Sequence, residues 1–317
     1  MNVLIYVLRR LAISIPVLLV GTFLCFLMVS ATGDPLTELR GRPGVNQASI
    51  DATAHQLGLD QGLVPRYFTW LGHFLTGDWG ISIAQGNAFA PVAPKVLSAF
   101  SVTFNLVIGA SVLAFVLGVL VGVVAAVRQY SVLDYVATAL AFLLFSMPIF
   151  CVAIVLKQYA IEVNGLVRDL GLADVLGDPW LRTTSPENLK STGLGDLLAR
   201  YVGAYLLPTL SIMAISFAAY SRFQRASMLE VLGSDYVRTA RAKGLSGSRV
   251  IWRHAFRNAL IPVSTLFSVN FGAVLGGAII TETVFNWHGM GTLLVEAVNK
   301  NDPQVLMGWL VVIALTV

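Results

Sequence analysis

"FSVTFNLVIGASVLAFVLGVLVGVVAAV", Phe100–Val127, runs for 28 residues without Asp, Glu, Lys, Arg or His. As a helix it is about 42 Å long at 1.5 Å per residue, more than the roughly 30 Å of a bilayer's hydrocarbon core. Four more runs have the same character: Leu11–Ala31, Tyr135–Leu156, Tyr201–Tyr220 and Leu260–Thr281. A sixth, Val305–Val317, holds 13 residues and is still apolar where the given sequence stops. It reads as the start of a sixth span that continues further. Composition agrees, with 12% charged residues and a mean hydropathy of +0.76; soluble domains carry about 25% charged residues. The expected fold is all-α and polytopic, with about six transmembrane helices, the last incomplete.

Leu11–Ala31 follows Arg9 and Arg10, as a secretory signal would. Its 21 residues exceed the about 7–15 of a signal's apolar region, so a retained first span is expected. Residues 1–99 then form that span plus an extracytoplasmic insert, and residues 100–317 form the core. The insert, Thr32–Ala99, is rich in Gly, Pro and aromatics, among them Tyr67, Phe68, Trp70 and Trp79. It is expected to pack as a small external layer. The segment Lys157–Arg200 carries Gly165, Gly171, Gly177, Pro179 and Pro186 and reads as an irregular external loop.

Charge sets the expected orientation. With the N-terminus inside, Arg9 and Arg10 contribute +2, the segment 128–134 is neutral, and Arg222–Arg257 contributes +6. Segments on the opposite side sum to −4, which recovers the chain's net +4. Lys and Arg accumulate on the cytoplasmic side, so the basic loop is placed there. Cys25 and Cys151 lie in apolar runs and read as small buried hydrophobes. The four histidines form no metal-binding pattern, and nothing points to nucleic acid.

The basic loop, 222–258, has a shape beyond its charge. Asp235 is a candidate N-cap, Tyr236–Lys243 a two-turn helix, and Gly244 its C-terminal stop. Ala240 and Ala242 keep that helix slim. Ser246 or Ser248 can cap a second helix running towards Asn258 and Pro262. On it Arg249, Arg253 and Arg257 fall at i, i+4 and i+8, one basic stripe. Such a stripe suits lipid phosphates; two short helices at a membrane face also suit a groove on a partner.

The stretch "TARAKGL…RHAFRNALIP" resembles the cytoplasmic coupling loop of permease subunits of ABC importers, the oligopeptide, dipeptide and nickel branch above all. "RRLAISIPVLLVGTF", "GDP" at Gly33–Pro35, "LGLD" at Leu57–Asp60, "GDWGIS" at Gly77–Ser82, "FSMPIF" at Phe145–Phe150, "LLPTLSI" at Leu206–Ile212 and "ETVFNWHGMG" at Glu282–Gly291 are similar to the same family in the same order. Two positions depart from it: Arg238 stands where the general pattern is acidic, and His288 where relatives carry Pro.

The resemblance implies a type I ABC importer transmembrane fold in a bacterial inner (plasma) membrane. It implies a second, homologous permease subunit, ATP-binding subunits or one fused two-domain ATPase, and an extracytoplasmic peptide-binding protein. Asp235, Tyr236, Arg238, Thr239, Ala240, Arg241, Lys243 and Gly244 would couple to the ATPase. No phosphate loop is present, so ATP and Mg²⁺ are expected on partner subunits and no cofactor or catalytic residue on this chain. The rival readings are a secondary transporter or a channel subunit not driven by ATP. The first uses intramembrane ionisable residues and the second a filter element; the five complete runs hold neither. Pro148 and Pro208 are candidate kinks.

Overall fold

The fold follows from where helices this apolar are forced to stop. A computed structural model describes residues 3–31, 34, 36–41, 44–82, 90–185, 194–276 and 278–316. The first helices are α1 (Val3–Ala31), α2 (Thr37–Arg40), α3 (Gln47–Gln56) and α4 (Leu63–Leu75). A short antiparallel pair follows, β1 (Ile81–Ser82) and β2 (Ala90–Pro91). Then come α5 (Val92–Val127), α6 (Val132–Ser146), α7 (Ile149–Asp169), α8 (Ala173–Leu176) and α9 (Leu194–Leu232). The basic-loop region gives α10 (Asp235–Ala242), α11 (Gly247–Arg249), a π-helical segment Val250–Ala255 and α12 (Phe256–Leu275). The chain ends with α13 (Ile279–Val284), α14 (Met290–Asn299) and α15 (Pro303–Thr316). Among the described residues, five helical stretches are long and apolar enough to cross a membrane.

The chain divides into two compact units. One comprises Met1–Ser101 and Thr292–Val317, the other Val102–Gly291. In the first unit α1 packs on α15 and α4, around buried Phe26, Tyr67, Trp70, Met307 and Val311. A smaller cluster of Leu36, Ile50 and Leu57 holds the α2–α3 region. Of the insert's aromatics, Tyr67 and Trp70 are buried against α1 and α15, Trp79 stacks on Phe74 at 4.6 Å, and Phe68 stays exposed.

In the second unit the 39-residue α9 packs along both α6 and α7 and against α12. Gly118 and Gly122 let α5 reach it. A Cβ at Gly122 would lie 2.6 Å from the Ser221 carbonyl and 2.7 Å from Gln224 Cβ. This small-x-x-x-small spacing brings helix backbones together in membranes.

Three boundaries differ from the sequence reading. The run Tyr135–Leu156 is two helices, because Pro148 has no N–H to continue α6 and holds Met147 extended, at φ −81°, ψ 131°. Pro208, the other candidate kink, lies inside an uninterrupted α9. The run Leu260–Thr281 stops at Leu275, and Ile279–Thr281 belong to α13. The segment 157–200 is less irregular than its glycines imply. Gly165 lies within α7, and Gly171 and Gly177 supply turns at φ 67° and 92°. Pro186 lies outside the described residues.

Candidate coupling surface

α9 ends at Leu232, and Gly233 and Ser234 turn the chain into α10. The N-cap is Ser234, one residue before the expected Asp235, whose side chain is fully solvated in the first turn. There it complements the helix N-terminus. The stop at Gly244 matches expectation. Gly244 has φ +75°, its N–H donates to the Arg241 carbonyl at 2.9 Å, and the Leu245 N–H donates to the Ala240 carbonyl at 3.4 Å. This is the paired closure of a glycine-terminated helix. A Cβ at position 244 would meet nothing within 4 Å, so the demand for glycine is one of backbone conformation.

α10 has two faces. Val237 and Ala240 are buried in the cluster formed by Tyr220, Met228, Val250, Ala255 and Ala259. Asp235, Tyr236, Arg238, Thr239, Arg241, Ala242, Lys243 and Gly244 are exposed. The reading of Ala240 as a slim, partner-facing residue is therefore corrected: it is slim because the chain's own core lies beneath it. Tyr236 stays partly tethered, its hydroxyl accepting from Asn258 Nδ2 at 2.8 Å.

The expected second helix is continuous with the following span, and Pro262 does not interrupt it. Its start is wound as a π-turn. The buried residues Val250, Ala255, Ala259 and Val263 are spaced five, four and four apart. The extra residue in the first step re-phases the buried face onto α9 and α10, which a regular helix would rotate away. Arg249, Arg253 and Arg257 are all exposed, on a stripe that crosses this widened turn.

Asp134 is a structural element that charge counting missed. Its carboxylate is 3% exposed and takes both forks of Arg225, at 2.6 and 2.9 Å. The Tyr130 N–H donates to it as well, at 3.0 Å. The guanidinium holds the carboxyl down to about 2, so it stays ionised at any physiological pH. The pair pins the start of α6 to α9 about two turns before α9 ends. Ser227 Oγ, donating to the Ala259 carbonyl at 3.0 Å, ties α9 to α12 nearby.

At the other end of this unit, "ETVFNWHGMG" folds over a buried carboxylate. Glu282 accepts from the Thr103 hydroxyl at 2.7 Å and from the Gly291 N–H at 2.8 Å. A Cβ on Gly289 would lie 2.4 Å from Thr103 Oγ1 and 2.5 Å from Glu282 Oε1. His288 is exposed, so its replacement of the expected Pro disturbs nothing buried. No group of three or more metal-binding side chains exists among the described residues.

Helices of membrane-crossing length, with a two-turn helix inserted between two of them, define a polytopic helical membrane-protein architecture. A family model described as the binding-protein-dependent transport system inner membrane component matches residues 118–317. The chain belongs to this family, whose membrane fold is that of type I ABC importers. Among curated proteins it is 38% identical over 302 residues to the oligopeptide transport system permease protein OppB of Mycobacterium tuberculosis, covering 95% of this chain and 89% of that one. It is 34% identical to the di/tripeptide transport system permease protein DppB of Pseudomonas aeruginosa, over 98% of this chain and 93% of the relative. The dipeptide permease DppB of Escherichia coli is also 34% identical, over 98% and 92%.

Proposed function

We propose that this chain is the permease subunit of an ATP-driven importer of oligopeptides or dipeptides in a bacterial inner membrane, with its N-terminus cytoplasmic. The observation that carries this is the likeness to peptide permeases over 95–98% of the chain. A second homologous permease completes the path, and an extracytoplasmic protein delivers the peptide. ATP and Mg²⁺ reside on ATPase subunits, separate or fused, that bind below. The outward face of α10, Asp235 to Lys243, enters a cleft of one ATPase subunit and moves with it. Val237 and Ala240 pass that movement into the core that also holds α9 and α12. Arg249, Arg253 and Arg257 flank this face and meet the partner or lipid phosphates. Purification of the tagged chain tests the reading. ATPase and second-permease subunits should co-purify, and the complex, but not the chain alone, should hydrolyse ATP. Hydrolysis by the isolated chain, or its recovery as a stable lone protein with transport activity, would overturn it.

A further inference from the structure

α4 carries three faces, and only one is used by the protein core. Tyr67, Trp70 and Phe74 turn inward against α1 and α15. Arg66, Thr69 and His73 line a cavity of about 950 Å³. Val64, Phe68 and Leu75, at i, i+4 and i+11, form an apolar stripe that is 52, 62 and 77% exposed. A stripe this apolar on a helix with a polar opposite side marks a helix lying in a membrane interface.

The register of α1 gives the depth. With the inner edge of the hydrocarbon at Arg10, about 30 Å of helix reaches its outer edge near Ser30. The Tyr67 hydroxyl bonds to Thr22 Oγ1 at 2.8 Å and donates to the Leu19 carbonyl at 3.1 Å. Thr22 lies about 12 Å inside that edge, so a tyrosine reaching it places its own backbone below the surface. α4 is therefore sunk into the outer leaflet by a depth of about 5–10 Å, typical of interfacial helices.

Arg66 sits at the level of the headgroups. Its guanidinium contacts the Ser30 hydroxyl and lies over the Phe26 ring at 4.9 Å. Three carboxylates lining the same cavity have basic neighbours of their own: Asp34 with Arg40, Asp60 with His55, and Asp78 with His73. Among the described residues Arg66 has no carboxylate partner. A half-buried guanidinium without a counter-ion among the described residues, beside an aromatic-walled cavity, is suited to binding a phosphate.

We propose that α4 lies in the outer leaflet and that Arg66 and Ser30 hold the phosphate of one phospholipid, whose headgroup enters the cavity and whose chains run along Val64 and Phe68. The site depends on the chain spanning the membrane with its N-terminus inside, and not on peptide import.

The test uses the full chain in nanodiscs containing phosphatidylethanolamine and phosphatidylglycerol. Spin labels on single cysteines at positions 68 and 75, in a background lacking Cys25 and Cys151, should be accessible to oxygen dissolved in lipid. Labels at 69 and 73 should be accessible to a water-soluble relaxant. Native mass spectrometry should show one retained phospholipid. Retention should fall roughly tenfold in Arg66→Gln and less in Arg66→Lys, which keeps the charge but loses the planar fork. Inorganic phosphate should not displace the lipid. The proposal is overturned if positions 68 and 75 are water-accessible or covered by protein, if Arg66→Gln retains lipid as the parent does while Arg66→Lys confirms a folded chain, or if free phosphate competes.

Discussion

Asp134 and Arg225 join α6 to α9 through one ion pair. Both forks of the guanidinium are used, and the carboxylate is almost wholly removed from solvent. Asp134→Asn leaves Arg225 without its counter-charge and should destabilise the folded chain by about 1–3 kcal/mol. Arg225→Gln alone should cost a similar amount, and the double substitution less than the sum; thermal unfolding of the four proteins in detergent measures the coupling. The pH dependence has a definite sign. A carboxyl held at about 2 stabilises the fold at pH values above its ordinary unfolded value, and that contribution is lost only as pH falls towards 2. Stability from this pair should therefore be flat between about pH 5 and 8. The sequence held both residues in view as charges, one cancelling Arg128 and one adding to a basic window. Their partnership was invisible there because 91 residues separate them.

At the scale of elements, what was legible was whatever a local rule decides. Gly244 ends α10 as expected because only a left-handed residue closes a helix that way. The break at Pro148 and the apolar spans follow from equally local chemistry. The π-turn was not legible as such. The arginines at 249, 253 and 257 keep a perfect i+4 spacing and conceal the irregular spacing of the buried residues. The signal was the small and β-branched series Val250, Ala255, Ala259 and Val263, with five residues in its first step. Ala240 misled for a related reason: a small residue fits a partner's cleft and its own core equally well. Deleting Ile251 should convert the π-turn to a regular α-helix and rotate Arg249 and α11 relative to α12. Coupling should be lost while insertion and expression persist, as read by membrane yield beside ATP-dependent uptake.

For the whole molecule, the charge asymmetry predicts sidedness. The loop 222–257 carries +6 and should lie inside, with the α2–α4 segment outside. Single cysteines at the exposed positions Ala48 and Ser248, in a background lacking Cys25 and Cys151, separate the two orientations. An impermeant maleimide applied to intact spheroplasts should label the first and spare the second. Labelling of position 248 alone would invert the topology and remove the cytoplasmic coupling surface altogether.

If α10 couples to an ATPase subunit, its shape rather than its charge should transmit the movement. Gly244→Val keeps every charge but forces a β-branched residue into φ +75°, a strain of about 1–2 kcal/mol or more. Ala242→Trp adds bulk on the exposed face without touching the core beneath Val237 and Ala240. The decisive measurement is peptide uptake and ATP hydrolysis, side by side, in proteoliposomes of the assembled importer carrying each substitution. Coupling through α10 predicts that uptake falls at least tenfold while hydrolysis continues without it, or that the ATPase subunit dissociates. Full uptake by both proteins, at normal assembly, would contradict it.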